Sequence, residues 1–336
     1  MADRPIILTL TEMHDDGMRI LRAAGELRMA SSTSPEVLRR EVRDADALVI
    51  RTYGVVDAAL LDCGARLKVV GRHGVGYDHI DVPAATERGI LVLTTPGANT
   101  ESVCQHTFGF MIGLSKHFPR TMAALRAGDY YARTRFTGRD LTGRTLGIVG
   151  FGRIGRRVGE VARVAFGMEV LYNDIAAAPP EVEARAGARR VELDELLKAS
   201  EYVSLHVPLD ESTRRLIDAA ALAKLRPDAI LINTCRGPVV DEAAVATALD
   251  AGLLWGYGAD VYDVEPPPAD HPLIGRDDVM LTPHNAAQTA ESLRNMAVGI
   301  AEDVVGVLQG RPPLNPVNDP ARVAANRRRP GFESGT

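Results

Sequence analysis

From Pro5 onward, short β-branched runs alternate with stretches whose apolar residues recur at helical spacing. The segments are PIILTL, DDGMRILRAAG, ELRMA, SPEVLRREVRDA and ALVI, followed by DAALLDCG, LKVVG, DVPAATERG and ILVL. Repeated strand–helix alternation is the pattern of a parallel sheet covered by helices on both faces. The chain up to residue 98 is therefore expected to form a compact α/β domain. TESVCQHTFGFMIGLSKHFPRTMAALRAG then keeps helical spacing over most of its length, with Gly128 as a stop, and predicts one long helix. After the loop YYARTRFTGRDLTGR a second alternation begins. TLGIVG, MEVLYND, YVSLHV, AILINT, WGYGADV and VMLTP are its strand candidates, with helical material between most of them. AAQTAESLRNMAVGIAEDVVGVLQG predicts one long closing helix that ends at Gly310, with two prolines just beyond.

Composition narrows the possible functions. With 336 residues, 46% hydrophobic and 25% charged, the chain has material for two soluble cores. A net charge of −5 argues against nucleic-acid binding, which needs a clustered positive field. The basic run ARVAANRRRPGFESGT reads as a solvated tail, residues 319–336. Cys63, Cys104 and Cys235 are an odd, scattered set without CxxC spacing. They suggest neither a disulfide framework nor a metal site, and they suit a reducing cytoplasm. Nothing at the N-terminus has signal-peptide order and no apolar run is long enough for a bilayer, so no membrane partner is expected.

The stretch GFGRIG, Gly150 to Gly155, follows the strand pattern TLGIV and opens a helical one. Gly150 ends the strand, Gly152 lets backbone approach a pyrophosphate, and Gly155 lets the helix pack on the sheet. Unpaired N–H groups at the helix start favour phosphate. The next strand pattern ends in Asp174, nineteen positions after Gly155, where a carboxylate would accept from the adenosine ribose hydroxyls and repel a 2′-phosphate. IAAAPPEVEA, which follows, offers no nearby Arg or Lys. The expected cofactor is NAD rather than NADP.

Three later strand patterns end in residues able to do chemistry, at the edge where open parallel sheets bind ligands. Arg236 follows ILINTC, Glu265 lies in VYDVEPPP, and His284 follows VMLTP. An Arg can hold a carboxylate with two parallel hydrogen bonds. A His can exchange a proton with the carbonyl oxygen as hydride arrives, and a Glu can raise that imidazole's pKa. Each alone has an ordinary reading, as a surface ion pair, a solvated acid or a helix-start residue. Together they are what reduction of a 2-oxo acid, or oxidation of the matching alcohol, requires.

At this point the chain resembles the D-isomer-specific 2-hydroxyacid dehydrogenases, most closely their 3-phosphoglycerate dehydrogenase-like branch. The resemblance runs from about residue 5 to about 317, through LKVVGRHGVGYDHIDV, LTGRTLGIVGFGRIGRRV, HVPLDESTRRLI, LINTCRGPVVDEAAV, GADVYDVEPPP and LTPHNAAQT. It implies catalytic roles for Arg236, Glu265 and His284. It also implies NAD contacts from Arg153, Ile154, Asp174, Val207, Pro208, Thr213, Thr234, Cys235 and Asp260 beside the glycine turn. Backbone N–H groups around Val75 and Gly76 are implied to hold the substrate carboxylate, in the kind of turn that glycine permits. After His284 the chain reads HNAA where the family has HIGG or HLGA. Cysteine is ordinary at position 235 in the family, which argues against a thiol mechanism.

The resemblance implies two doubly wound parallel-sheet domains. Residues 1–98 and 287–318 make a discontinuous, flavodoxin-like substrate domain, and residues 99–286 an inserted NAD-binding Rossmann domain. That is why GFGRIG comes so late. The expected active site is the cleft between them, closing on substrate. Residues 99–143 match the arm through which family members form homodimers, and no regulatory domain is expected after the last helix. Arg51 and Arg72 match arginines that bind the distal phosphate in phosphoglycerate dehydrogenases, although RTYGVVD departs from the polar RSxT pattern of that branch. A small-molecule 2-hydroxy acid with a second anionic group is the expected substrate, with hydroxypyruvate or glyoxylate next. Formate and phosphite dehydrogenases of the family carry Gln where Glu265 stands and Lys where Val75 stands, so neither fits. A non-enzymatic NAD(H)-sensing partner protein is the rival of a different class, and the intact Arg–Glu–His set argues against it.

Overall fold

The computed structural model describes residues 4–51 and 54–327; Thr52 and Tyr53 of RTYGVVD and residues 328–336 of the expected tail lie outside the described residues. The chain forms two compact units, one from residues 1–99 with 289–336 and one from residues 100–288. In the first, β1 (Ile6–Thr9), α1 (Asp15–Ala24), β2 (Glu26–Met29), α2 (Pro35–Glu41), β3 (Ala47–Ile50), α3 (Ala58–Cys63), β4 (Val69–Arg72), α4 (Val82–Glu87) and β5 (Leu91–Leu93) follow one another. The strands form one parallel sheet in the order β2-β1-β3-β4-β5. β3 is buried at all four positions, as expected for a central strand covered on both faces.

The second unit opens with α5 (Thr100–Ser115) and α6 (Phe118–Arg126), and a 3-10 turn at Tyr130–Thr134 leads towards the sheet. There follow β6 (Thr145–Val149), α7 (Arg153–Phe166), β7 (Glu169–Asn173), α8 (Pro180–Ala186), β8 (Ala188–Arg190), α9 (Leu193–Ala199) and β9 (Tyr202–Leu205). The unit ends with α10 (Ala219–Leu222), β10 (Ile230–Asn233), α11 (Glu242–Asp250), β11 (Gly256–Ala259) and β12 (Val279–Leu281). All seven strands are parallel, in the order β12-β11-β10-β9-β6-β7-β8. The order reverses between β6 and β9, so a ligand crevice is expected outside their carboxyl ends. One core, with Leu196, Leu231 and Tyr257, and another, with Phe110, Ile148 and Tyr172, fill the unit.

Returning to the first unit, the chain adds α12 (Ala290–Leu308) and α13 (Pro320–Arg327). α12 packs Ile300 and Val304 against β4, where a Cβ on Gly71 would lie 2.6 Å from Val304. Among the described residues, no helix is long and apolar enough to cross a membrane, and no group of three or more His, Cys, Asp or Glu is placed to hold a metal ion.

Two double-winding sheets are what the apolar pattern predicts, but four details differ. The single helix expected after Asn99 breaks at His117, which has φ 52°. Pro119 lacks the N–H an unbroken helix would need and disfavours helical backbone at Phe118. β8 was not foreseen, because ARR carries no apolar signal. α12 starts at Ala290 rather than Ala286, with the Thr289 side chain accepting from Ser292 N at 3.2 Å. The expected tail begins as a docked helix: Val323 and Asn326 are buried, and Asn326 Nδ2 donates to Thr86 O at 2.8 Å. A short apolar side chain and one buried amide hold α13 in place, despite the basic composition around it.

Candidate active site

β6 delivers the glycine turn. Gly150 has φ 91°, and a Cβ there would lie 2.6 Å from His206 O, so the turn tolerates no side chain at this point. Around Gly152, by contrast, a Cβ would meet nothing within 4 Å. No side chain caps α7, so the N–H groups of Arg153, Ile154 and Gly155 at its start have no intrahelical acceptor. Open space in front of unpaired donors at a helix N-terminus suits the pyrophosphate of a dinucleotide. Asp174, just past β7, accepts from Phe151 N at 2.7 Å and from Ala176 N at 3.2 Å. Its carboxylate is thereby fixed beside the glycine turn.

A cation from beyond the segment IAAAPPEVEA lies near Asp174. Arg190 Nη2 donates to Asp174 O at 2.8 Å. The unforeseen β8 pairs with β7 in the register Tyr172↔Arg190, which brings the side chain to the end of the acid-bearing strand.

On the other side of β6, β9 is followed by His206, Val207 and Pro208. Thr213 donates its hydroxyl to Pro208 O at 2.7 Å and accepts from Asp210 N at 2.9 Å. Its side chain is thus engaged in holding the turn. β10 ends in Asn233, followed by Thr234, whose hydroxyl is 3.3 Å from that of Thr107 on α5. Cys235 is buried, and burial pushes its thiol up to about 11, so it is no nucleophile at neutral pH. Arg236 donates to Cys235 O at 2.6 Å, and its own carbonyl accepts from Asn233 Nδ2 at 2.8 Å. The next residue, Gly237, packs directly on the backbone of Tyr262, so the Arg236 turn and the Glu265 loop are in contact.

Glu265 and His284, nineteen residues apart in sequence, are brought together: His284 Nδ1 is 2.7 Å from Glu265 Oε2. The other carboxylate oxygen accepts from Tyr262 N at 3.2 Å. Burial pushes the Glu265 carboxyl up, but the hydrogen bond and charge of His284, the Tyr262 N–H and the Arg236 charge outweigh it. The carboxyl therefore sits below its ordinary value and stays ionised. With Nδ1 directed to the carboxylate, Nε2 of His284 is the atom left to exchange a proton.

Asp260, implied as a cofactor contact, has a structural task. Its carboxylate accepts from Thr282 Oγ1 at 2.6 Å, Asn285 N at 2.8 Å and Ala286 N at 2.8 Å. These bonds brace the turn that carries His284, whose φ is 51°, and they keep Asn285 and Ala286 out of α12. His106 of α5 lies 2.9 Å from Thr282 Oγ1, and Tyr262 OH donates to Thr282 O at 2.9 Å. Burial lowers the His106 pKa, with Asp260 acting in the opposite sense. Thr282, His106, Asn233 and Tyr262 were not singled out in the sequence, since nothing local marks them as partners of residues so far along the chain.

In the first unit, Arg51 follows β3 and Arg72 is the last residue of the adjacent β4, both at the strands' carboxyl ends. Both charges act on His73, which burial chiefly, and then these arginines, push down to about 4. Arg72 donates to His73 O. Gly74, with φ 131°, is tied to Thr95 through Gly74 N→Thr95 Oγ1 at 3.0 Å and Thr95 N→Gly74 O at 2.9 Å. Beyond this anchor Val75 is exposed and Gly76 half-buried.

A family model described as the NAD binding domain of D-isomer-specific 2-hydroxyacid dehydrogenases matches residues 108–286. The chain belongs to this family. The 2-hydroxyacid dehydrogenases similar to it include the D-3-phosphoglycerate dehydrogenase of Methanocaldococcus jannaschii, 39% identical over 94% of this chain. The chain spans 59% of that protein's length. The glyoxylate reductase of Korarchaeum cryptofilum is 36% identical, covering 98% of this chain and 100% of its own. Among solved structures, a glyoxylate reductase from Paecilomyes thermophila superimposes with a TM-score of 0.87 at 31% identity, covering 94% of this chain and 99% of that one. Residues 108–286 are thus the family's NAD-binding domain, and the glycine turn with Asp174 lies within it.

Proposed function

We propose that the protein is an NAD-dependent oxidoreductase that interconverts a D-2-hydroxy acid and the corresponding 2-oxo acid. The observation that carries this reading is the Glu265–His284 pair at 2.7 Å, under the influence of the Arg236 charge, at the carboxyl edge of an NAD-binding sheet. NAD, held at the glycine turn and Asp174, would supply the hydride acceptor for C2 of the hydroxy acid, and NADH the hydride donor for the oxo acid. Arg236 holds the substrate carboxylate, and His284 Nε2 removes the hydroxyl proton or restores it to the carbonyl oxygen. Glu265 orients the imidazole and balances the charge it gains. Gly150, Gly152, Arg153, Ile154, Gly155, Asp174, Val207, Pro208, Thr213, Thr234, Cys235 and Asp260 surround the cofactor. Within the first unit, Val75 and Gly76 offer N–H groups, and Arg51 and Arg72 cationic groups, to an anionic ligand such as a phosphate.

A second reading, reduction of glyoxylate or hydroxypyruvate, has its own support in the end-to-end match with a glyoxylate reductase. The two separate in one assay, NADH oxidation with 3-phosphohydroxypyruvate, hydroxypyruvate, glyoxylate and a sulfonated oxo acid. His284→Ala is expected to lower kcat by about 10²- to 10⁴-fold. If the wild type binds NADH and turns over none of these acids, the enzyme reading fails. We also place the protein in the cytoplasm as a homodimer. The exposed side chains of Phe118, Met122, Leu125, Tyr130 and Tyr131 on and after α6 support association of two copies, and sedimentation would test it.

A further inference from the structure

Beneath the Glu265 loop the second unit buries a further histidine–carboxylate pair. Glu242 is the first residue of α11, but Asp241 caps that helix, accepting from Ala244 N at 3.1 Å. The Glu242 side chain turns elsewhere: Oε2 accepts from Asp263 N at 3.2 Å and lies 3.0 Å from His271 Nε2. The two side chains are 8% and 7% exposed. His271 Nδ1 faces Leu273 N at 3.4 Å, so Nδ1 accepts and Nε2 carries the proton shared with Glu242. Its ring meets Tyr262 edge-on, with centroids 5.7 Å apart.

These contacts grip the Glu265 loop from both sides. Asp263 stands two residues before Glu265 and His271 six after it, while Tyr262 N donates to the Glu265 carboxylate itself. Burying a carboxylate and its partner is a weak way to gain stability, since well-packed apolar residues often serve as well or better. A buried pair whose bonds end on the loop that carries Glu265 is better explained by placement of that loop. α11 follows directly from the Arg236 turn, so Glu242 also ties that turn to the loop.

We propose that Glu242 and His271 are positioning residues that set the Glu265 carboxylate against His284. The kinetic consequence rests on the dehydrogenase reading; the geometric one does not. The test uses the full chain with Glu242→Gln, His271→Gln and, for reference, Glu265→Gln. NMR of labelled histidine, assigned against His284→Asn, follows the titration of the His284 imidazole. Loss of the neighbouring carboxylate in Glu265→Gln moves the midpoint to lower pH. In Glu242→Gln and His271→Gln it moves the same way by a fraction of that shift. In parallel, kcat falls about tenfold with little change in KM or in NADH affinity by fluorescence, and Glu242→Gln adds little to the loss already caused by Glu265→Gln. The proposal is overturned if the midpoint in both Glu242→Gln and His271→Gln coincides with that of the wild type, or if the two kcat losses multiply. Should Glu242→Gln fail to fold, His271→Gln decides alone. A wild type that turns over no oxo acid, while the titration shifts as stated, would refute the dehydrogenase reading and leave the positioning role standing.

Discussion

Gly237→Ala probes how tightly the Arg236 turn and the Glu265 loop are coupled. A Cβ at position 237 would lie 1.9 Å from Tyr262 C and 2.0 Å from Tyr262 O, against the 3.4 Å at which ordinary contact begins. Both neighbours are backbone, so no side chain can swing aside. The Arg236 turn and the loop at Tyr262 must separate by about 1.5 Å, or the turn must refold. Overpacking of this kind costs about 1–3 kcal/mol, which lowers stability without abolishing the fold. Its effect on catalysis is expected to be larger, because a misplacement of about 1 Å costs on the order of 100-fold in rate. The assay pairs steady-state kinetics on the best oxo acid with NADH binding by fluorescence and with urea unfolding. The expected result is kcat down about 100-fold, NADH affinity near that of the wild type, and a modest loss of stability. A folded Gly237→Ala protein with wild-type kcat would refute the claim that Arg236 and Glu265 depend on this contact.

Other expectations follow from the same network. Asp260→Asn replaces an acceptor of three hydrogen bonds with a group that must present N–H to one of them, leaving a donor unpaired at a cost of about 1–3 kcal/mol. Thermal unfolding should register that loss, and kcat should fall with it because the His284 turn loosens. Asp174→Ala should improve NADPH relative to NADH, and combining it with Arg190→Ala should remove a gain of about 10- to 100-fold, the worth of a charged hydrogen bond. Equal kcat/KM for NADPH in the single and double variants would show that Arg190 does not meet the 2′-phosphate. His73 is held near 4 against an ordinary 6.5, so the unfolded chain binds its proton first. Its contribution is whole above about 6.5, is lost as pH falls towards 4, and amounts to about 3 kcal/mol at most. Urea unfolding between those limits should show a shallower pH dependence for His73→Asn than for the wild type, and parallel curves would contradict the assignment.

The strand runs and helical spacings were legible because each reports a local periodicity. ALVI and LINT announce buried parallel strands, and GFGRIG with Asp174 announces the dinucleotide turn. Arg236, Glu265 and His284 could be singled out because they are chemically able residues just past strand patterns. Weak or conflicting local signals account for the rest. ARR carries no apolar code for β8, the basic run hid α13, and helical spacing continued through His117 where Pro119 forced a break.

What the sequence determined alone is therefore the set of elements, the glycine turn and the identity of the polar residues at strand ends. Tertiary structure alone decided which of those residues meet. The β7–β8 register carries Arg190 to Asp174, though the segment IAAAPPEVEA directly after the acid contains no cation. The parallel pairing of β10, β11 and β12 puts Arg236, Glu265 and His284 along one edge, and there Asp260 and Glu242 brace the loops that carry them. Periodicity specifies what a segment is, because it reflects interactions a few residues apart. Partnership across twenty or more residues depends on strand order and register, and these exist only once the sheet has formed.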